Sequence, residues 1–287
     1  MPRCSRWLVL LFVPLFFSLS HAQGRMDCDA LESHTLGEPV HYCVMLPAGY
    51  DATTVSHSPR RYPVLYFLHG LGENEQTFFK SGGWNVIEDL HQQSQITDFL
   101  IIAPEGKSSF YINSSDGQVR YSDFFIGEFI PYIEAKYSIQ RERAARAISG
   151  FSMGGFGALR FAFAHPELFS SVSAQSAALF AAPPQRLGRP LDRVFGDPIA
   201  MPHWNQNSPF VLAKQNRAQM AELSIYFNCG REDDFGFDKG AEELHRQLRK
   251  EGIKHEFHIY PGNHGTAYFQ AHLAETLKFH SRLFARK

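Results

Sequence analysis

The sequence predicts an α/β fold: a mostly parallel, twisted sheet with helices on both faces and an N-terminal β-hairpin. Short apolar runs rich in β-branched and aromatic residues alternate with longer segments of helical periodicity, which is typical of a parallel sheet covered on both sides. A Leu36-Gly37-Glu38-Pro39 turn signal separates two extended-looking runs near the start, which predicts the hairpin. No linker-like tract divides the 287 residues, so one domain is expected.

The first 22 residues are predicted to be a secretory signal peptide rather than part of the fold. Arg3 and Arg6 precede an apolar stretch at residues 7–19, and Ser20-His21-Ala22 provides a small-x-small cleavage site. The alternative is a membrane anchor, but the apolar stretch is short for a bilayer span and contains Pro14. We therefore expect a secreted or periplasmic protein, without a stable membrane anchor, whose single domain is residues 23–287.

The charge composition excludes one class of partner. The chain carries 28 Lys and Arg against 29 Asp and Glu, a formal net charge of −1 at pH 7. No basic stripe or basic arm is present, so nucleic acid is not expected as a partner. His and Cys are scattered without metal-ligand spacing, and neither a metal nor an organic cofactor is expected. The oligomeric state stays open.

The predicted elements follow the hairpin, which covers residues 28–46. The six predicted strands are residues 64–68, 99–103, 144–148, 170–174, 224–228 and 255–260. The five predicted helices are residues 85–93, 124–136, 155–164, 240–251 and 266–284. Residues 180–219 contain six prolines and little regular pattern; they are interpreted as an insertion that lines or covers a cleft. The alternative is a surface excursion with one short helix at residues 209–219.

Ser152 is the candidate nucleophile. It lies in Gly150-Phe151-Ser152-Met153-Gly154, after an apolar strand and before a helical pattern. A serine between two glycines at such a junction is the nucleophile elbow of an α/β-hydrolase, where a sharp turn exposes the hydroxyl. The pentapeptide alone is weak evidence, and its position between a strand and a helix carries the argument. Gly155 would further permit close packing of the helix on the sheet.

A serine hydroxyl needs an imidazole to take its proton and a carboxylate to orient that imidazole, in the chain order Ser, acid, His. His264 follows the last predicted strand inside a glycine-bracketed turn, and it is the candidate base. Asp233 is the candidate acid because it lies three residues beyond Gly230, with Asp234 as the alternative. The other acidic residues nearby are interpreted as a solvated loop.

Two main-chain N–H groups should stabilise the oxyanion of the reaction intermediate. One belongs to Met153, the residue after the nucleophile. The other is expected from the loop after the strand at 64–68, where a His69-Gly70 turn precedes Leu71. Leu71 is the predicted donor. His69 is interpreted as a structural hydrogen-bonding residue.

Four segments in the right order support a comparison with a known family. They are Pro63-Val64-Leu65-Tyr66-Phe67-Leu68-His69-Gly70-Leu71-Gly72, Gly150-Phe151-Ser152-Met153-Gly154-Gly155, Cys229-Gly230-Arg231-Glu232-Asp233 and Pro261-Gly262-Asn263-His264. Together they resemble the esterase D family of α/β-hydrolases, which includes S-formylglutathione hydrolases, acyl and feruloyl esterases and mycolyltransferases. The resemblance implies that Ser152 is the nucleophile, Asp233 the acid and His264 the base. The doubled Asp233-Asp234 is where this chain departs from the pattern.

The expected function is that of a secreted serine esterase acting on a small-molecule carboxylic ester with a short-chain or aromatic acyl group. The alternatives are an acyltransferase similar to mycolyltransferases and an S-formylglutathione hydrolase, which export disfavours. A non-catalytic binding module is disfavoured because every catalytic position is filled. Seven aromatic residues are expected in loops that open on the active face, where they could form an acyl or phenolic pocket: Phe78, Phe79, Trp84, Phe110, Tyr111, Trp204 and Phe235. The alternative, which is the more common arrangement for aromatic residues in loops beside a sheet, is that they belong to the peripheral core. Cys28 and Cys43 are expected to form a disulfide, and Cys229 to be a core residue.

Overall fold

A computed structural model describes residues 24–51, 60–184, 188 and 191–286. The signal peptide predicted at residues 1–22 lies outside these residues. Eight strands form one sheet: β1 (Arg25–Glu32), β2 (Pro39–Leu46), β3 (Val64–Leu68), β4 (Leu100–Pro104), β5 (Arg146–Phe151), β6 (Ser171–Gln175), β7 (Ser224–Gly230) and β8 (Glu256–Tyr260). Their order is β1-β2-β4-β3-β5-β6-β7-β8, with β1 and β2 antiparallel to their neighbours and the rest parallel. The predicted α/β architecture and hairpin are confirmed.

Helices cover both faces of this sheet. The α-helices of the described residues are α1 (Trp84–Gln92), α2 (Tyr121–Phe124), α3 (Ile130–Lys136), α4 (Met153–Ala164), α5 (Leu191–Phe195), α6 (Met201–Asn207), α7 (Pro209–Gln215), α8 (Phe237–Lys250) and α9 (Thr266–Phe284). A π-helical turn, Phe125–Phe129, joins α2 to α3. None of the described helices has the length and apolar character that crossing a membrane requires.

The central strands are buried on both sides, which explains their sequences. Every residue of β3, β4, β5 and β6 is buried. Neither face of these strands meets water, so β3 and β4 are continuous apolar runs. β5 and β6 also contain buried polar residues, and the Ser171 and Ser173 hydroxyls each lie 2.8 Å from a ring nitrogen of the buried His280. The larger core packs around α4, and a second core lies on the opposite face under α1 and α9. The edge strand β8 has no fully buried residue, and its pattern alternates accordingly.

The structure bears on two interpretations of the sequence. Most of the seven aromatic residues expected to open on the active face are buried in the two cores, as the peripheral-core alternative predicts: Phe78, Phe79, Phe110, Tyr111 and Trp204. Only Phe110 and Phe235 line the cleft described below. Residues 180–219 contain the short helices α5 and α6, which the sequence does not predict, and α7, which is the short helix of the alternative interpretation and ends at Gln215. Helices of five to seven residues are too short for their periodicity to be recognised.

The disulfide expected between Cys28 and Cys43 is present. The two residues are directly opposite each other in the register of β1 and β2. Cys229 is a buried free cysteine, as expected. The cross-link therefore fixes the register of the hairpin at the edge of the sheet.

Removing the disulfide should destabilise the fold. The bond closes a loop with a sequence separation of 15 residues, which the chain-entropy account values at about 3 kcal/mol. The double variant Cys28→Ser, Cys43→Ser should lose about this much free energy of unfolding in urea. Reductant should lower the stability of the wild type and leave the double variant unchanged. Equal stability of the two proteins, with three alkylatable thiols in the oxidised wild type, would contradict the cross-link.

Candidate active site

Ser152 occupies a strained turn between β5 and α4. Its φ of 55° and ψ of −117° are a conformation that L-residues rarely adopt. Main-chain hydrogen bonds hold it on both sides: its N–H donates to Gln175 at 3.0 Å, and its carbonyl accepts from Phe156 and Ala178, each at 3.0 Å. The turn lifts the hydroxyl from the carboxyl edge of the sheet. Ser152 therefore lies at the elbow that the sequence predicts.

Two glycines make this turn sterically possible. A Cβ atom on Gly154 would lie 1.8 Å from the Leu68 carbonyl oxygen, so α4 can reach the end of β3 only without a side chain there. A Cβ on Gly150 would lie 2.2 Å from the Gly154 carbonyl. Both distances are far inside van der Waals contact. The flanking glycines of the motif are required by close packing.

His264 lies four residues after β8, and its ring reaches the serine. Its Nε2 is 2.9 Å from Ser152 Oγ, and its Nδ1 is 2.8 Å from Asp233 Oδ2. A carboxylate has no proton to donate, so Nδ1 carries the proton and Nε2 accepts from the hydroxyl. Phe151, Phe235 and Phe237 surround the ring at centroid distances of 4.9, 4.9 and 5.4 Å. The imidazole is thus fixed in orientation and tautomer.

Asp233 is buried, and its carboxylate is fully hydrogen-bonded. Oδ1 accepts the main-chain N–H groups of Phe235 at 3.0 Å and Phe237 at 3.3 Å. Burial raises the pKa of Asp233, but the hydrogen bond and charge of His264 and the two N–H donors outweigh it. The pKa of Asp233 therefore lies below its ordinary value. The buried Cys229 thiol donates to Oδ2 at 3.5 Å.

The neighbouring acidic residues Glu232 and Asp234 are exposed, as a solvated loop predicts, and they also accept main-chain N–H groups. Glu232 Oε2 accepts the Gly262 N–H at 2.7 Å, and Asp234 Oδ2 accepts the His264 N–H at 3.3 Å. The Glu232 N–H in turn donates to the Gly262 carbonyl at 3.0 Å. Asp234 therefore holds the main chain of the histidine, while Asp233 holds its ring. Sequence could not separate these roles, because both depend on how two loops from distant strands meet.

The loop after β3 faces the same cleft. Leu71 is 43% exposed at the rim, and the structure gives its N–H no acceptor among the described residues. Met153 is the first residue of α4, so its N–H has no partner within the helix. His69 is buried: Nε2 accepts the Gly106 N–H at 2.7 Å, and Nδ1 donates to the Gly70 carbonyl at 2.8 Å. Burial lowers the pKa of His69, although the bond to Gly70 opposes this, and the ring is a structural hydrogen-bonding group.

Ser152, His264, Leu71 and Met153 line a cleft of about 530 Å³. One lobe is apolar and lies on the α4 side of the sheet, with walls formed by Phe110, Ala178, Phe180, Pro184, Leu191 and Phe237. Glu73 and Thr266 line this cleft and also a small recess over the core on the opposite face of the sheet. Ser152 and His264 line the same cleft. The rim residue Phe235 is 67% exposed.

Glu73 is a cleft residue that sequence reasoning missed. Its Oε2 accepts the Gly70 N–H at 2.7 Å. Among the described residues that line the cleft, only Glu73 and His264 have ionisable side chains. Its position three residues beyond Gly70, in the loop chosen for the oxyanion donor, was the available signal.

The elbow serine, the histidine within hydrogen-bond reach of it and the parallel sheet define the α/β-hydrolase class of serine hydrolases. The chain belongs to the esterase family described as "Putative esterase", whose family model matches residues 33–280. The family resemblance inferred from the sequence motifs is confirmed.

Individual relatives agree with this family. The chain is 30% identical over 253 residues to Esterase Rv1288 of Mycobacterium tuberculosis, covering 77% of this chain and 51% of that protein. It therefore spans about half the length of that curated relative. It is 27% identical over 231 residues to an acetyl esterase of Caldicellulosiruptor saccharolyticus, covering 76% of this chain and 83% of the relative. Among solved structures, a ferulic acid esterase has a TM-score of 0.80 at 27% identity, covering 91% of this chain and 99% of that one.

Two neighbouring aspartates provide a test of the site. Asp233→Asn should lower kcat about 10³-fold or more, because an amide can hold the imidazole in the wrong tautomer. Asp234→Asn is the matched control and should cost little, since its amide oxygen can still accept the His264 N–H. The measurement is steady-state hydrolysis of p-nitrophenyl acetate by both purified variants. A larger loss at Asp234 would move the acid by one residue.

Proposed function

We propose that the protein is a serine carboxylic ester hydrolase in which Ser152 is the nucleophile, His264 the general base and Asp233 the orienting acid. The observation that carries the proposal is the unbroken path of hydrogen bonds from Asp233 Oδ2 through the imidazole to Ser152 Oγ at the floor of the cleft. A serine hydroxyl becomes nucleophilic when a neighbouring base removes its proton during attack. Each group in the path is oriented for that transfer.

In the proposed acylation step, Ser152 Oγ attacks the ester carbonyl while His264 Nε2 takes its proton. The carbonyl oxygen becomes an oxyanion, and the N–H groups of Leu71 and Met153 stabilise it. His264 then protonates the leaving alcohol as the carbon–oxygen bond breaks. Asp233 stabilises the imidazolium, and its depressed pKa keeps it ionised throughout.

In the deacylation step, water takes the place of the alcohol. His264 removes a proton from that water, which attacks the acyl-enzyme carbonyl, and Ser152 leaves with the proton returned. The same oxyanion donors serve both steps. The overall reaction converts an ester and water to a carboxylic acid and an alcohol, with no other reactant required.

The apolar lobe favours short-chain or aromatic acyl groups. Three of the residues that line this lobe belong to the predicted insertion at 180–219: Phe180, Pro184 and Leu191. We propose that this segment closes the lobe against long chains. The acetyl esterase and ferulic acid esterase among the similar proteins act, by their names, on acyl groups of these two kinds.

We propose further that the protein is exported after cleavage of the signal peptide expected at residues 1–22. The disulfide between Cys28 and Cys43 supports this location, because structural disulfides persist in oxidising compartments. The short apolar stretch before the cleavage site is in accord with a removed leader.

Replacing the nucleophile tests the mechanism. Ser152→Ala should lower kcat by about 10³-fold or more, because no covalent intermediate can form. The fold should persist, since the one hydrogen bond that Oγ makes among the described residues is to His264. Ser170→Ala is the control, because that hydroxyl lies at the opposite end of the sheet beside the Arg146 carbonyl. More than a tenth of wild-type activity in Ser152→Ala would refute the mechanism.

A panel of acyl chains tests the substrate class. The kcat/KM values for p-nitrophenyl acetate, butyrate, octanoate and palmitate should peak at butyrate or below, with methyl ferulate also hydrolysed. Leu191→Ala should shift the preference toward octanoate because it enlarges the apolar lobe. Leu283→Ala, a similar change on α9 away from the cleft, should not. A wild-type maximum at octanoate or longer would contradict the proposed closure, and acyl transfer to added alcohols would favour the acyltransferase alternative.

A further inference from the structure

We infer that Glu73 is a positioning residue that aims the Leu71 N–H into the cleft by fixing the Gly70 peptide. This inference rests on the proposed function, because it assumes that Leu71 is an oxyanion donor. Glu73 forms no hydrogen bond to Ser152 or His264 among the described residues, and its charge interaction with His264 is separated from its bond to the loop by the neutral variant Glu73→Gln described below.

The loop from Gly70 to Glu73 is a tight turn. The Glu73 N–H donates to the Gly70 carbonyl at 3.3 Å, which closes four residues into one turn. Gly72, at the third position, has a φ of 80°. This value is the requirement of a type II turn and explains the glycine there. Leu71 is therefore at the apex of a turn with defined geometry.

The direction of the Leu71 N–H is set by the carbonyl of the preceding residue. Both groups belong to one planar trans peptide and point in opposite directions. The Gly70 carbonyl accepts from His69 Nδ1 at 2.8 Å and from the Glu73 N–H. With that oxygen held on one side, the Leu71 N–H must project to the other.

The Glu73 side chain fixes the other peptide of Gly70. Its Oε2 accepts the Gly70 N–H at 2.7 Å, and a Cβ on Gly70 would lie only 3.1 Å from that oxygen. A glycine has no side chain to limit its rotation, so this bond supplies the restraint. Both peptide planes that flank Gly70 are then held, and the turn cannot flip without breaking a hydrogen bond.

The Glu73 carboxyl group is half-buried, which strengthens its hold on the Gly70 N–H. Burial raises the pKa of Glu73, while the Gly70 N–H and the charge of His264 lower it in part. A half-buried carboxyl oxygen loses much of its hydration, so its bond to the N–H is not readily exchanged for water. The two other carboxylates near this loop have different partners. Asp233 accepts the main-chain N–H groups of Phe235 and Phe237, and Glu75, two residues after Glu73, accepts the Gln76 side-chain amide at 3.0 Å.

Three substitutions separate positioning from other roles. In Glu73→Gln the amide oxygen can still accept the Gly70 N–H, so kcat should stay within about threefold of the wild type. In Glu73→Ala the restraint on the Gly70 N–H is lost while the two bonds to the Gly70 carbonyl remain, and kcat should fall about ten- to a hundredfold with little change in KM. Glu73→Asp should lie between them, because its carboxylate is one methylene shorter. Glu75→Gln removes a negative charge from the same loop and should behave as the wild type.

The decisive readout is the affinity for a boronic acid that forms a tetrahedral adduct on the nucleophile. Because that adduct needs the oxyanion donor, its Ki should weaken in Glu73→Ala by the same factor as kcat/KM. Thermal unfolding checks that each variant is folded, and Glu73→Asp replaces Glu73→Ala if the latter is not.

Several outcomes would overturn the inference. One is a wild-type kcat in Glu73→Ala or Glu73→Asp. Another is a loss of kcat in Glu73→Gln as large as in Glu73→Ala, which would indicate that the charge of Glu73 matters. A third is a change confined to KM, which would indicate that Glu73 contacts the substrate. Failure of the proposed function would look different: Ser152→Ala would keep its activity, or the boronic acid would not inhibit the wild type.

Discussion

The packing of α4 against the ends of β3 and β5 is the constraint on which the site depends. Gly154 allows the helix to approach the Leu68 carbonyl to a distance that any side chain would forbid. This approach forces Ser152 into a conformation that costs of order 1–3 kcal/mol, and the surrounding main-chain hydrogen bonds retain it. The strain is offset by the rest of the core. In return, the hydroxyl is presented at a fixed point above the sheet.

Parallel register brings the other groups to that point. The carboxyl ends of β3, β5, β7 and β8 lie along one edge, and each is followed within a few residues by a group of the cleft. Asp233 and its loop then illustrate how a buried charge is retained: four donors surround the carboxylate, and none of its oxygens is left unpaired. Glu232 and Asp234 fasten the histidine loop from the same side.

The sequence predicts the site better than its surroundings, for physical reasons. Ser152, Asp233 and His264 lie in short turns whose glycines and strand boundaries are local signals, and the predicted bounds of β3 and α9 match the structure. The contacts of Glu73 and Glu232 could not be predicted, because they depend on the spatial meeting of loops. Sequence alone leaves open whether the aromatic residues near the cleft line it or fill the core, because burial of a loop residue depends on the layers packed below it.

The central claim is that Ser152 reacts with an ester carbonyl whose oxygen is held by Leu71 and Met153. A crystal structure of the protein treated with a p-nitrophenyl alkylphosphonate would test this most directly. The account predicts phosphorus bonded to Ser152 Oγ, one phosphonyl oxygen about 3 Å from both main-chain nitrogens, and the alkyl group in the apolar lobe. An adduct on another residue, or an oxygen directed away from both N–H groups, would contradict it.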